Sequence, residues 1–245
     1  MRVDAFAIRL RRRAKMEAAD LGVRLCQASA RSVFSCYLLV AAPVMLLALA
    51  SFELAYWAPM LVLWWTKPWL DRTVLFVLAR AAFGQKTTTR DLWAGQRDVW
   101  WRQLITTLTL RRLSPWRSLT QPVYQLEGLS WWKLRKRSAQ IRLGYRNTGL
   151  LITSAFSIAE MMLCFALMSL VLWFIPGDAR LDLTWMFTED DSSHRMSVAY
   201  YAAYAVVVAF LEPFYVAAGF ALYLNRRVEL EAWDVEQELR RAFAH

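Results

Sequence analysis

Two glutamates, Glu160 and Glu212, are each the only charged residue within a long apolar run. A charged side chain at the centre of a bilayer costs about 2.5–3.5 kcal/mol or more, so it normally faces a bundle interior, a cavity or a partner. Such a pair fits a proton-coupled or ion-coordinating site. It equally fits hydrogen bonds that hold two helices together, next to the kink that Pro213 introduces.

Lys67 and Asp71 form a second pair of polar groups, four residues apart and just after the apolar run 54–66. If one helix continued through 74–83, the two charges could neutralise each other. Tryptophans next to a lysine are, however, typical of an anchor at the membrane surface. We therefore predict that the helix ends near Lys67 and that 74–83 forms an interfacial helix. The tryptophans concerned are Trp64, Trp65 and Trp69.

Other familiar catalytic patterns do not occur in the sequence. It has no GxxxxGK[ST], GxGxxG, GxSxG or HExxH motif, so nucleotide binding and the common hydrolase mechanisms have no recognisable site. The three cysteines, Cys26, Cys36 and Cys164, have no CxxC spacing, and the histidines are His194 and His245. We predict neither a metal nor a cofactor, and we do not expect an enzyme.

The elements that position these residues are apolar helices. The chain has 245 residues, of which 58% are hydrophobic, and this composition is typical of a polytopic membrane protein. Strand-like alternation does not occur. We predict an all-α integral membrane protein with about four transmembrane helices, together with amphipathic interfacial and cytoplasmic helices. The runs that would cross the bilayer are 33–52, 54–66, 147–174 and 197–224.

The charge distribution predicts how the chain is threaded. Residues 84–148 hold thirteen basic and three acidic side chains, whereas 176–196 hold five acidic and two basic ones. Residues 1–32 hold eight basic and three acidic side chains. This is the positive-inside pattern, so we expect both termini in the cytoplasm. The net charge of +10 then reflects membrane placement and anionic lipid headgroups rather than nucleic-acid binding.

These patterns divide the chain into five segments. The long basic segment follows Gly84, which we predict to be a helix C-cap. It contains a capping box at Thr88 and Asp91 and a loop through Pro115 and Pro122. The segments are a basic cytoplasmic N-terminal helix (1–32) that can lie on the inner leaflet, a transmembrane hairpin with the interfacial helix (33–83), a basic cytoplasmic helical segment (84–148), a transmembrane helix pair with an acidic periplasmic loop at 176–196 (149–225), and an amphipathic cytoplasmic tail (226–245).

The tail continues the last apolar run as a charged helix. It fits a solvated amphipathic helix, and it also fits a docking surface for a partner protein. The residues that would bind a partner are Arg226, Arg227, Glu231, Trp233 and Asp234.

Three blocks resemble bacterial inner-membrane proteins encoded beside MoxR-type AAA ATPases, von Willebrand factor A domain proteins and transglutaminase-like membrane proteins. They read WWTKPWLDRTVLFVLARAAFG at 64–84, RLSPWRSLTQPVYQLEGL at 112–129 and EPFYVAAGFALYLNRRVELEAWDVE at 212–236. The resemblance implies a non-catalytic membrane component of an envelope assembly, with the ATPase and neighbouring membrane proteins as partners. It implies no catalytic residues.

Three hypotheses follow for function. The first is a scaffold in the inner membrane that engages a MoxR-type ATPase through its cytoplasmic segments. The second is a small ion-coupled transporter built around Glu160 and Glu212. The third is a lipid-interacting protein that uses the basic, tryptophan-rich segment 100–146 at the headgroup layer.

Overall fold

The computed structural model of the protein describes residues 11–101, 104–108, 114–129, 131–174 and 191–231. Every regular element in these ranges is helical, which confirms the predicted all-α class. A 3₁₀ turn at Ser51–Glu53 follows α2, and a π-helical turn at Arg97–Trp101 follows α4. The α-helices are α1 (Lys15–Ala28), α2 (Ala30–Ala50), α3 (Ala58–Ala81), α4 (Thr89–Ala94), α5 (Leu104–Leu108), α6 (Arg117–Leu126), α7 (Trp131–Arg142), α8 (Arg146–Trp173) and α9 (Asp191–Glu231).

Within the described ranges, three helical stretches are long and apolar enough to cross a membrane. They are Ala30–Glu53, Arg146–Val171 and Met196–Glu231, which belong to α2 with its 3₁₀ turn, α8 and α9. The chain is therefore a membrane protein, as its composition predicts. The fourth predicted span falls on α3, which is not one of these three stretches.

α3 does not stop at its lysine. It continues from Ala58 through Lys67 and Pro68 to Ala81, so the predicted helix end near Lys67 and the separate interfacial helix at 74–83 are both wrong. The helix can continue because its polar groups find partners inside the bundle and need not reach water. Its C-terminal turn ends at Gly84, whose φ of 71° is the left-handed conformation expected of a C-cap glycine.

The predicted loop through Pro115 and Pro122 is also helical. α6 begins at Arg117 and includes Pro122, so the loop prediction is wrong for this stretch. A glycine of α9 makes room for the backbone of α6: a Cβ built on Gly219 would lie 2.2 Å from Ser118 Cβ. Two glutamines one turn apart then join α6 to α3, because Gln121 Nε2 donates to the carbonyl oxygen of Pro68 and Gln125 Nε2 to that of Arg72.

α9 is the helix around which the others assemble. It packs on α1, α2, α3, α6 and α8, and most of its apolar stretch is buried, whereas that of α8 is largely exposed. At 41 residues it is about 60 Å long, roughly twice the thickness of a hydrocarbon core. α9 therefore reaches well beyond any membrane that its apolar part crosses.

The N-terminal helix α1 lies along the second half of α9. A Cβ on Gly22 would lie 2.2 Å from the carbonyl oxygen of Ala217, so the two backbones are in close contact. The side chain of Asn225 accepts from the backbone N–H of Arg13 and donates to its carbonyl oxygen, both at 3.0 Å. α1 is thus part of the helical bundle, in addition to any contact that it makes with a membrane surface.

Exposed apolar side chains form a belt around one part of the molecule. On α3 the last of them is Trp65; on α9 they stop at Phe210 and none follows until Leu230. Beyond these positions both helices are covered by α1 and α6. The belt includes Leu38, Leu39, Leu46 and Leu47 of α2, Leu61 of α3, Ile158, Met161, Met162, Leu163, Phe165 and Leu170 of α8, and Val198 and Val206 of α9.

Candidate functional site

Four helices bring five charged side chains together in the interior. α3 supplies Lys67 and Asp71 from successive turns, α8 supplies Glu160, and α9 supplies Glu212. The fifth is Arg117, the first residue of α6. We call these five residues the charge cluster. It lies where the exposed apolar belt ends on α3 and α9, two residues past Trp65 and two past Phe210.

The charge cluster is a chain of alternating ion pairs. Lys67 Nζ lies 2.6 Å from Glu160 Oε1 and 2.9 Å from Glu212 Oε2. Arg117 Nη2 lies 2.5 Å from Glu212 Oε1, and its Nε lies 3.0 Å from Asp71 Oδ2. Lys67 therefore bridges the two glutamates, and Arg117 bridges Glu212 and Asp71.

Burial makes each of these pairs important for stability. Asp71 and Glu212 are 0% and 1% exposed, whereas the Glu160 side chain keeps 17% of its surface accessible. Removing one partner of a buried ion pair strands the other charge, which typically costs about 3–5 kcal/mol. The cluster thus joins α3, α6, α8 and α9, and Glu160 is the member that solvent reaches best.

Aromatic and hydroxyl groups surround the two cations. Lys67 Nζ lies 5.8 Å from the centre of the Tyr204 ring, and the Arg117 guanidinium lies 5.3 Å from that of Tyr215. Both distances are within the range of cation–π attraction. The hydroxyl of Thr153 donates to the carbonyl oxygen of Pro115 at 2.8 Å, which holds α8 against the start of α6.

A cavity of about 260 Å³ opens beside the charge cluster. Its size admits several water molecules or a small polar solute. Both glutamates reach it, so the two isolated carboxylates of the sequence do face a common polar space. Its lining is Trp64, Lys67, Ser114, Pro115, Arg117, Thr153, Phe156, Ser157, Glu160, Tyr204, Glu212 and Tyr215.

The structure pairs the predicted site residues differently from their spacing in the sequence. Lys67 and Asp71 were considered as mutual partners, but Lys67 binds the two glutamates and Asp71 binds Arg117. Arg117 is the residue that sequence reasoning missed. It was one of thirteen basic residues in a segment predicted to face water, and only its place in the second resembling block distinguished it.

The predicted partner-binding residues make contacts within the chain. Arg226 pairs with Glu229 at 2.8 Å, and Arg227 with Glu231 at 2.6 Å. Glu231 also pairs with Arg137 of α7. The Glu231–Arg137 pair holds α7 against the end of α9. Side chains that form ion pairs within the chain are less available to bind a partner protein. The other two predicted residues, Trp233 and Asp234, lie outside the described residues.

A tyrosine supports the same junction. Tyr145 donates its hydroxyl to Glu229 Oε1 at 2.6 Å and accepts from Asn225 Nδ2 at 2.8 Å. Burial raises the pKa of the Tyr145 hydroxyl above its ordinary value, so the group keeps its proton and remains a donor. The α7–α9 junction is therefore a second polar network, separate from the charge cluster.

α7 leaves a basic face uncovered. Leu134, Ser138 and Ile141 are buried on one side of the helix. The other side exposes Trp132, Lys133, Arg135 and Lys136, which we call the basic face of α7. Trp132 is 73% exposed, so its ring is accessible beside these three cations.

In the described ranges, no group of three His, Cys, Asp or Glu side chains is arranged to hold a metal ion. No known protein family, curated protein or solved structure matches the chain. The resemblance to the group encoded beside MoxR-type ATPases therefore stays a prediction.

Proposed function

We propose that the protein is a non-catalytic scaffold of the bacterial inner membrane. One observation carries this proposal: α9 is a single 41-residue helix whose first part bears the exposed apolar belt and whose second part is packed among α1, α6 and α7. One continuous helix therefore links the apolar belt to the helices that pack on its second part. Such an arrangement is suited to holding a partner at a fixed height above the membrane.

The proposal includes four crossings with both termini in the cytoplasm. α2, α8 and α9 provide three, and the apolar beginning of α3, up to Trp65, provides a short fourth. The charge cluster then lies beyond the last exposed apolar side chains of α3 and α9, while Glu160 is near the middle of the apolar stretch of α8. Lys86, exposed in the segment after α3, tests the threading: a Lys86→Cys variant should react with an impermeant thiol reagent only after the cytoplasmic side is opened.

The partner surface in this proposal is the basic face of α7, because the tail residues are engaged in ion pairs. Its three cations attract an acidic surface, and Trp132 supplies the apolar anchor that interface centres favour. The resemblance supports a MoxR-type AAA ATPase or a neighbouring membrane protein as the partner. Anionic lipid headgroups are the competing occupant, at about 1 kcal/mol per basic side chain near the surface.

Affinity purification in mild detergent tests the scaffold. The wild-type protein should recover the ATPase, and Lys133→Glu/Lys136→Glu should lose it. The matched control is Lys86→Glu/Arg90→Glu, which makes the same charge change at exposed positions elsewhere in the basic segment. Recovery of the wild type alone, or equal loss in both variants, would argue against a specific partner on α7.

The cavity favours a second candidate function, a small ion-coupled transporter. Glu160 and Glu212 face the same polar space from two apolar helices, an arrangement that proton relays use. In this case Glu212→Gln and Glu160→Gln should abolish transport-dependent growth while the protein still folds and inserts. Unchanged growth in both variants would eliminate the transporter.

A further inference from the structure

The formal charges of the charge cluster do not balance. Asp71, Glu160 and Glu212 contribute three negative charges, whereas Lys67 and Arg117 contribute two positive ones. Leaving a net charge in a buried site is costly unless a further group neutralises it. A single additional positive charge would make the cluster neutral.

The described groups that face the cluster supply no such charge. α2 contributes Tyr37, whose buried hydroxyl lies near the carboxyl groups of Asp71 and Glu212, and α9 contributes the neutral Tyr204 and Tyr215. Arg72 follows Asp71 in the sequence but donates to Thr107 Oγ1 and to the carbonyl oxygen of Asp98. Among the described residues no further cation supplies the missing charge, and a bound species can supply it.

Two carboxyl groups of the cluster lie side by side. One guanidinium contacts both of them: Arg117 Nε lies 3.0 Å from Asp71 Oδ2, and Arg117 Nη2 lies 2.5 Å from Glu212 Oε1. Two ionised carboxylates repel each other and have no proton to donate, whereas one protonated acid donates to the other. Asp71 Oδ1 is fully buried and has no hydrogen-bond donor, so this oxygen is available to carry the proton.

We propose that Asp71 and Glu212 bind one exchangeable proton and share it between their carboxyl groups. The proton comes from water through the cavity at Glu160 and Lys67, and it returns to water by the same path. When this proton is bound, the two positive charges of the cluster are balanced by two carboxylates, and the third acid is neutral. This proton site is independent of the partner proposed for α7; if the protein is a transporter, the same proton is its coupling ion.

The pH dependence of unfolding tests the proposal on the full chain in detergent micelles. The unfolded chain releases the proton above the ordinary carboxyl range near about 4, whereas the folded protein keeps it. The folded state then binds one more proton than the unfolded state, so the unfolding constant should rise about tenfold per pH unit between about pH 6 and about pH 8. Stability is therefore highest at the acid end of this window and decreases as the pH rises.

Asp71→Asn is the decisive variant, because its amide has the shape of the protonated acid and donates to Glu212 without titrating. It should fold, be at least as stable as the wild type near pH 8, and lose the tenfold dependence. Glu127, whose carboxylate pairs with Arg137 of α7 at 3.1 Å and accepts from the Tyr223 hydroxyl of α9 at 2.8 Å, lies outside the cluster. Glu127→Gln is the control and should keep the dependence. A variant that retains the dependence, or that fails to fold, overturns the proposal.

Infrared spectroscopy provides the direct measurement. The wild type should show the C=O stretch of a buried protonated carboxyl that shifts on exchange into D₂O. Asp71→Asn should lose this band, and Glu127→Gln should retain it. No band in the wild type would show that all three carboxyl groups of the cluster are ionised, which contradicts a bound proton.

Discussion

Replacing Lys67 with methionine tests whether the charge cluster holds the helices together. The change removes the ion pairs to Glu160 and Glu212 and keeps most of the side-chain volume. Glu212 retains Arg117, so Glu160 is the carboxylate left stranded. Loss of one partner of a buried pair costs about 3–5 kcal/mol. Because Glu160 is partly solvated from the cavity, we expect the lower limit, about 3 kcal/mol.

Thermal unfolding followed by tryptophan fluorescence measures this loss. The chain has 13 tryptophans, one of which, Trp64, lines the cavity. For a chain of this size about 1 kcal/mol shifts Tm by 2–4 °C, so Lys67→Met should lower Tm by about 6–12 °C.

A double variant separates the ion pair from other effects of the substitution. Lys67→Met/Glu160→Gln removes the stranded carboxylate together with the lysine, so it should recover at least half of the lost Tm. Two results would refute the reasoning: a single variant within about 2 °C of the wild type, or a double variant that is less stable than the single one.

Three further predictions concern contacts outside the cluster. Gly22→Ala should destabilise the protein by about 1–3 kcal/mol and expose α1 to protease, because the new Cβ meets the backbone of Ala217. Gly95→Ala, whose Cβ meets the ring of Phe76 at 3.2 Å and the carbonyl oxygen of Asp91 at 3.4 Å, should be tolerated. Thr88 closes a capping box with Asp91, and the hydrogen bond from its backbone N–H lowers the pKa of that carboxyl. This stabilisation is present above the ordinary range of aspartate and should be lost as pH falls through the lowered pKa. Asp91→Asn, which cannot titrate, should remove this dependence in a thermal melt series. Burial raises the pKa of Cys26 to about 12, so alkylation near pH 8 should be slow in the native protein and fast in denaturant.

Features that depend on local sequence were predictable. The capping box at Thr88 and Asp91 is present, and Gly84 adopts the left-handed conformation. Both depend on residues within one turn of each other, so spacing alone identifies them. Glu160 and Glu212 were expected to face a bundle interior, a cavity or a partner, because an isolated charge in an apolar run is costly in lipid. Both line one cavity, which their positions in the sequence left open.

Features that depend on distant partners were not predictable. A lysine followed by proline and flanked by tryptophans resembles a helix end, and α3 continues only because Glu160, Glu212 and Gln121 satisfy its polar groups. Arg117 is 95 residues from Glu212 in the chain. Within a basic segment, the neighbouring residues do not show whether an arginine is buried in an ion pair or exposed at the cytoplasmic surface.

The central place of α9 has a consequence for biosynthesis. The helices that surround it are made before it, and about 50 residues separate Glu160 from Glu212, which corresponds to roughly 3–10 s of translation. During this interval α1 and α6 lack the helix with which each packs most extensively, and Arg117 lacks its closest acceptor. Insertion factors or chaperones must protect these surfaces until translation reaches α9, and nascent chains interrupted before that point should be substrates for membrane quality-control proteases.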